Sequence, residues 1–468
     1  MILAILILAL VVGSYQSPVQ SLTSHAPILI DGDANFTPAN GVISGSGTCF
    51  DPYIIEGWDI NAAAAHGIEI RNTRVHFTIR NVTVHDGGNL YQGIKLQNVG
   101  NGKIENTRAL NNYFGILAHS STSISCLNSN VSSNQFGVYL ENCTYTTISN
   151  NNVISNGLDG TTSGGICISL SAHITISHNN ASYSSETVDG GIWLTGQSND
   201  VTVLGNHISH NGRGIYIGYS ATNINATGNT IMDNSWYGIF LDNYPVTTNR
   251  FYDNYLSNTN NVRDTSTEAW NTTKAVGSNI LGGPYLGGNY YSDYTGIDSD
   301  GDGIGDTSYS IPAGSSVDQM PLVRIPDIVQ TFFASSGGVD YPVQVYAPNT
   351  TISGFNFNET QGNLNLTVTA GATRFINFTI PLELMEGALT ALIDNKPVAA
   401  ITTWNLTEMP SGPPTGTTSI YLTVEKGISN ITIVAQYVAR LPGDINNDGK
   451  VDIKDVAFVA KHFGDVKP

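Results

Sequence analysis

Charge is scarce in this chain. Only 12% of its 468 residues are Asp, Glu, Lys or Arg, with 19 basic residues against 37 acidic ones. The formal net charge of −18 argues against nucleic acids and anionic membranes as partners, since both need a basic surface, and favours bound cations. Cysteine is sparse too, at Cys49, Cys126, Cys143 and Cys167. None of the Cys spacings typical of a zinc site occurs, and three pairings remain open, so no disulfide is assigned. With five methionines and no clustered Cys/His/Met set, a soft-metal site is disfavoured. Long apolar runs are missing as well. The longest, residues 2–12, is about 11 residues, short for a membrane span, and fits the core of a signal peptide over residues 1–16. Export is therefore expected, and sequons such as Asn81-Val-Thr83 and Asn225-Ala-Thr227 agree with it.

What is present is a repeat. Gly followed by alternating apolar residues recurs at Gly67, Gly93, Gly115, Gly137, Gly165, Gly191, Gly214 and Gly238, in steps of 26, 22, 22, 28, 26, 23 and 24 residues. Period-2 alternation means strands, and a repeat of this length means a solenoid. A single coil cannot bury its own apolar face, so coils must stack. A second register adds Asn112, Asn134, Asn156, Asn211 and Asn234, each three residues after an apolar position. Stacked asparagines can bond along the axis, and Asn tolerates the left-handed backbone of a tight corner.

The expected fold is all-β: a right-handed parallel β-helix over 26–258, an irregular exit over 259–325, a β-sandwich over 326–438 and a small EF-hand-like tail over 439–468. The sandwich rests on alternating runs such as Leu364–Val368 and Ile431–Tyr437, separated by turn signals.

Two segments have the oxygen-rich spacing of calcium loops. In the tail, Asp444, Asn446 and Asp448 precede Gly449, with the Lys450 carbonyl, Asp452 and Asp455 at the later ligand positions. In the exit, Asp298, Asp300, Asp302, the Ile304 carbonyl and Asp306 form the second loop, with Asp318 as the carboxylate expected to close its shell. Calcium is the expected cofactor.

The tail resembles one half of a type I dockerin, which uses Asp where Asp455 stands. This resemblance implies a cohesin-like or surface-protein partner. The body, over most of 28–322, resembles the NosD-like or CASH-type β-helix proteins of carbohydrate binding and sugar hydrolysis. The stretches that carry it are Ser44-Gly-Ser-Gly47, Asp51-Pro-Tyr-Ile-Ile-Glu-Gly-Trp58, Gly288-Asn-Tyr-Tyr-Ser-Asp-Tyr294 and Asp318-Gln-Met-Pro-Leu322. It implies a secreted or cell-surface protein acting on glycans.

The repeat also nominates a face. If the first and third residues after each glycine point inward, the second and fourth point outward. The second-position column reads Glu69, Lys95, Leu117, Tyr139, Cys167, Trp193, Tyr216, Phe240, and the fourth-position column includes Arg71, Gln97, His119, Glu141 and Asp242. Tyr139, Trp193, Tyr216 and Phe240 are the candidate glycan platform. Lys95, His119 and Glu141 are the candidate acid–base set of a lyase or hydrolase. A plain solvated face, or rings covered by the later domains, is the alternative. Glycan binding is the leading function, an enzyme on the same face the second, and an adhesive scaffold recruited through the tail the third.

Overall fold

A computed structural model describes residues 22–157, 164–184, 190–218, 220–242, 248–324, 330–347, 350–370, 374–398, 400–407 and 415–438. The expected signal peptide lies outside these residues. So does the tail with Asp444, Asn446, Asp448, Lys450, Asp452 and Asp455. The chain divides into two compact units, Met1–Asp189 and Gly190–Pro468. No α-helix occurs among the described residues, and so none long and apolar enough to cross a membrane.

The first unit is a stack of coils with three parallel walls. Its glycine-led wall includes Ile68–Thr73, Ile94–Val99, Phe114–His119 and Phe136–Glu141. Register is strict: Ile116 lies beside Val138, Cys126 beside Ile148 and Val131 beside Val153. Ile68, Ile70, Ile94 and Leu96 are fully buried, which places the first and third positions inside. Corners turn on left-handed residues. In one coil these are Ser120, Ser123, Asn128 and Ser133, and in the next Asn142, Tyr145, Asn150 and Ser155. The repeated glycine answers to crowding. A Cβ on Gly115 would sit 2.4 Å from Val131 Cγ1 and 2.7 Å from Asn134 Nδ2.

The second unit continues the same coil pattern and then changes. Its glycine-led wall is Gly190–Thr195, Arg213–Ile217, Tyr237–Leu241 and Val262–Arg263. Two antiparallel five-stranded sheets follow over 330–438, with a shared apolar core that includes Val343, Leu366, Phe378, Leu422 and Ile433.

Asparagine ladders run along the inner corners. Asn112 Nδ2 donates to Asn134 Oδ1 at 3.2 Å, and Asn134 Nδ2 to Asn156 Oδ1 at 3.1 Å. The same oxygens accept backbone N–H groups of the coil before. In the second unit one ladder runs Asn211–Asn234–Asn258–Asn261 and another Asn206–Asn229–Asn254–Asn289. The latter was not anticipated. Its signal is an Asn two residues before Ile208, Ile231, Leu256 and Tyr291, the positions that carry the strand interior.

Each of these second-unit ladders ends on a carboxylate. Asn261 Nδ2 donates to Asp293 Oδ1 at 2.6 Å, and the Asn289 backbone N–H donates to Asp318 Oδ2 at 2.8 Å. On a third corner, Asn249 receives the Ile224 N–H and donates in turn to both oxygens of Glu268. Asp318, named above as a carboxylate for the calcium shell, is thus taken up at a ladder end. It is fully buried and also accepts from Tyr291 Oη and the Met320 N–H.

Two outcomes follow from the ladders. Asn229 makes five side-chain hydrogen bonds in a fully buried setting. Each orphaned buried group costs about 1–3 kcal/mol, so Asn229→Leu should lower unfolding free energy by at least ~3 kcal/mol in urea titration, while exposed Thr273→Ala should stay within about 0.5 kcal/mol. Burial also pushes Glu268 up to about 7, with Asp264 adding to it, and Asp318 up to about 6. A raised folded value means stability that is present below the ordinary carboxylate range and lost as pH rises through 6 to 7. Melting temperature should therefore fall from pH 5 to pH 8, and Glu268→Gln with Asp318→Asn should flatten that slope.

Candidate functional site

The outward columns are real columns within each unit. In the first, Glu69 lies beside Lys95, Lys95 beside Leu117, and Leu117 beside Tyr139. In the next column Gln97 lies between Arg71 and His119, and His119 is beside Glu141. In the second unit Trp193 lies beside Tyr216 and Tyr216 beside Phe240.

The structure pairs the charged candidates in twos. Lys95 Nζ donates to Glu69 Oε1 at 3.1 Å, and Arg71 bridges Glu69 and Asp31. His119 Nε2 is 3.7 Å from Glu141 Oε2, with both side chains about two-fifths exposed, at 42% and 40%. Lys95 belongs to the other column, so it faces Glu69 and not the His119–Glu141 pair. Glu69 and Glu141 are three coil steps apart, about 14 Å, beyond the roughly 5–9.5 Å that a glycosidase pair spans.

The rings separate into two clusters, one per unit. In the first unit Phe114 and Phe136 stack in register at 4.7 Å, and Tyr113 and Tyr139 meet them edge-on. All four are partly exposed. Phe114 and Phe136 were missed because they stand just before the glycine, a position the outward columns leave out. In the second unit Trp193 meets Tyr216 edge-on at 5.7 Å, and Tyr216 stacks on Phe240 at 5.7 Å. Tyr216 and Phe240 are only 7% and 9% exposed. The Arg213 guanidinium lies over both, at 5.1 and 4.5 Å, and Tyr216 Oη donates to Asp242. Trp193 remains partly exposed, and its indole N–H finds no acceptor.

A small cleft in the second unit was also missed. Ile217, Leu241, Asn249 and Ser266 line it together with Asp242 and Glu268. Glu268 spends both oxygens on Asn249 and one also on Ser266, which makes it a ladder end first.

In the exit loop, ligand oxygens of Asp298, Asp300 and Asp302 lie within 4.8 Å of one another. Asp298 accepts N–H groups from Gly301 and Gly303 at 2.7 and 2.8 Å, which folds the loop around it. Lys274 pairs with Asp302, and Asp306 accepts the Ser299 N–H. The Ile304 N–H donates back to Asp302 at 2.8 Å.

The profile described as periplasmic copper-binding protein (NosD) matches residues 40–162 and 78–296, more than half of the chain. The chain belongs to the NosD family. Among solved structures, this NosD-family chain is similar to a mutant of the periplasmic alginate epimerase AlgG. Identity is 16%, covering 46% of this chain and 50% of that one, with a TM-score of 0.36. It is similar to DFA-IIIase from Arthrobacter chlorophenolicus A6 without its lid, at 15% identity, 45% and 58% coverage and TM-score 0.32. The Pseudomonas phage phi297 tailspike gp61 matches at 12% identity, 81% and 66% coverage and TM-score 0.35. The chain spans about half the length of the first of these. Such likeness concerns the fold alone. No curated protein matches the sequence.

The family's copper association does not fit the described donors. Copper sites draw on thiolate, thioether and imidazole. Burial pushes Cys126 up to about 12 and Cys143 up to about 11, so both remain thiols, and the Cys143 sulfur donates to carbonyls of Ala118 and Glu141. Among the described residues, the one group of three metal-type side chains is the aspartate set. Of the four cysteines only Cys49 is exposed; Cys126, Cys143 and Cys167 are buried. Iodoacetamide at pH 8 should therefore label one thiol in the native chain and four after denaturation, read by intact mass.

Proposed function

We propose that this chain is a secreted or cell-surface protein that binds an extracellular polysaccharide along its glycine-led walls, stabilised by calcium. The observation that carries the reading is the pair of ring clusters held in register beside charged columns on the outward side of those walls. Rings at coil spacing offer apolar faces to sugar rings, and the neighbouring Lys95, Glu69, His119 and Glu141 offer hydrogen bonds to hydroxyls. In the first unit the platform is Tyr139 with Phe114 and Phe136. In the second, Trp193 is its accessible edge, and Tyr216 and Phe240 are the packed base beneath.

Affinity electrophoresis through gels containing a panel of polysaccharides tests this. Retardation without clearing is expected, with loss of most of it in Tyr139→Ala or Trp193→Ala. Absence of retardation across the panel would sink the reading in favour of a scaffold. A cleared track would favour the lyase or hydrolase reading, whose groups are His119 and Glu141, or Asp242 and Glu268 at the cleft.

Calcium is assigned to Asp298, Asp300 and Asp302, with the Ile304 carbonyl and Asp306 as further oxygens; hard oxygen donors suit a hard cation. The tail loop from Asp444 to Asp455 and a cohesin-like partner rest on sequence alone. A divalent ion competes with Lys274 for Asp302. Isothermal titration with calcium should therefore show tighter binding in Lys274→Met and loss of the exit-loop site in Asp298→Asn. Unchanged titrations in both variants would remove calcium from this loop.

A further inference from the structure

The second-unit column does not end with Phe240. The next residue in register is Arg263, on Val262–Arg263. Its guanidinium lies over the Phe240 ring at 4.9 Å, on the column that already carries Arg213 over Tyr216 and Phe240. Arg213 also reaches Trp236, at 5.3 Å, and that indole is 42% exposed. Basic residues are few in this chain, yet two guanidiniums meet on one ring. Arg263 is half-buried, and among the described residues no carboxylate lies within ion-pair distance of it.

Among the described residues this partly buried cation has a ring beside it but no counter-charge, in a chain of net charge −18. The Phe240 ring, 4.9 Å from the Arg263 guanidinium carbon, gives the cation an aromatic neighbour. A guanidinium carries an N–H fork suited to bidentate contact with a planar anion, which a flexible ammonium does not match.

We infer that Arg263, on the Phe240 end of the Trp193–Tyr216–Phe240 column, is a subsite for a carboxylate-bearing sugar unit, so that the polysaccharide bound by this face is a polyuronate-type acidic chain. This deepens the glycan reading and rests on it. Arg213 holds the ring surface from the neighbouring strand, and Trp236 supplies the exposed apolar wall beside it.

The test is affinity electrophoresis of the full chain in gels of polygalacturonate, of the same polymer fully methyl-esterified, and of dextran sulfate, at low and high salt. Wild type should be retarded more by polygalacturonate than by the ester, and less so at high salt. Arg263→Gln should lose about tenfold in affinity for polygalacturonate and none for the ester. Arg263→Lys should recover only part of it. An unchanged melting temperature in Arg263→Gln shows that the loss is not unfolding. Equal retardation by acid and ester, or an Arg263→Gln variant that behaves as wild type, overturns this inference while leaving glycan binding standing. Retardation by dextran sulfate alone overturns the carboxylate assignment. No retardation in any gel of the broader panel overturns the glycan reading itself.

Discussion

The rest of this structure depends on one interaction, the side-chain amide that replaces a missing strand partner at each corner. Strands pair along the axis, but corners break the pairing and leave backbone N–H groups facing the interior. Asn134 shows the remedy. Its oxygen takes the backbone N–H and the amide of Asn112, and its own amide reaches back to the Ala109 carbonyl and forward to Asn156. Buried polar groups must be paired, so each coil needs the asparagine of the coil after it. That requirement propagates until something other than asparagine ends it.

The termination explains stretches of sequence that look irregular. A ladder whose last member has an amide to donate needs an acceptor with no donor of its own, and an ionised carboxylate is such a group. Asp318, Glu268 and Asp293 meet that need, from segments far along the chain or close by. The cost is burial of negative charge, visible in the raised Asp318 and Glu268. Gly288 belongs to the same arrangement, because a Cβ there would fall 1.9 Å from Asp318 Oδ1. The pairing of Gly288-Asn289 with Asp318 is thus one cap written in two places.

Much of the coil architecture was legible because it is local and periodic. The glycines, the inward Ile and Val residues and the Asn112–Asn134–Asn156 register all recur at fixed steps, and the pairing followed those steps. The outward columns were legible for the same reason. What escaped was non-periodic or set by packing. Asp318 reads as a metal ligand from its place after an aspartate loop, and only its contacts with Asn289 and Tyr291 reveal another task. Phe114 and Phe136 stack beside the predicted columns, not on them. Tyr216 and Phe240 lie on their column, but their burial beneath Arg213 is a matter of neighbouring side chains that spacing does not encode. Lys95 and His119 stand on adjacent coils, yet belong to different columns, and Glu69 claims the lysine.

These facts bear on where recognition can reside. The interior is fixed by the ladders and the aliphatic columns, and the corners by the left-handed backbone, so little chemistry can vary there. The outward positions of the glycine-led walls are under neither constraint. Coil stacking then brings successive outward positions side by side within each unit: lysine beside glutamate and histidine beside glutamate in the first, ring beside ring and ring beside arginine in the second. A site assembled this way is linear and repetitive, and a linear, repetitive ligand is what such a surface suits. Within the second unit the two guanidiniums at Phe240 add direction to its own column, because they give that end a sign opposite to the net charge of −18.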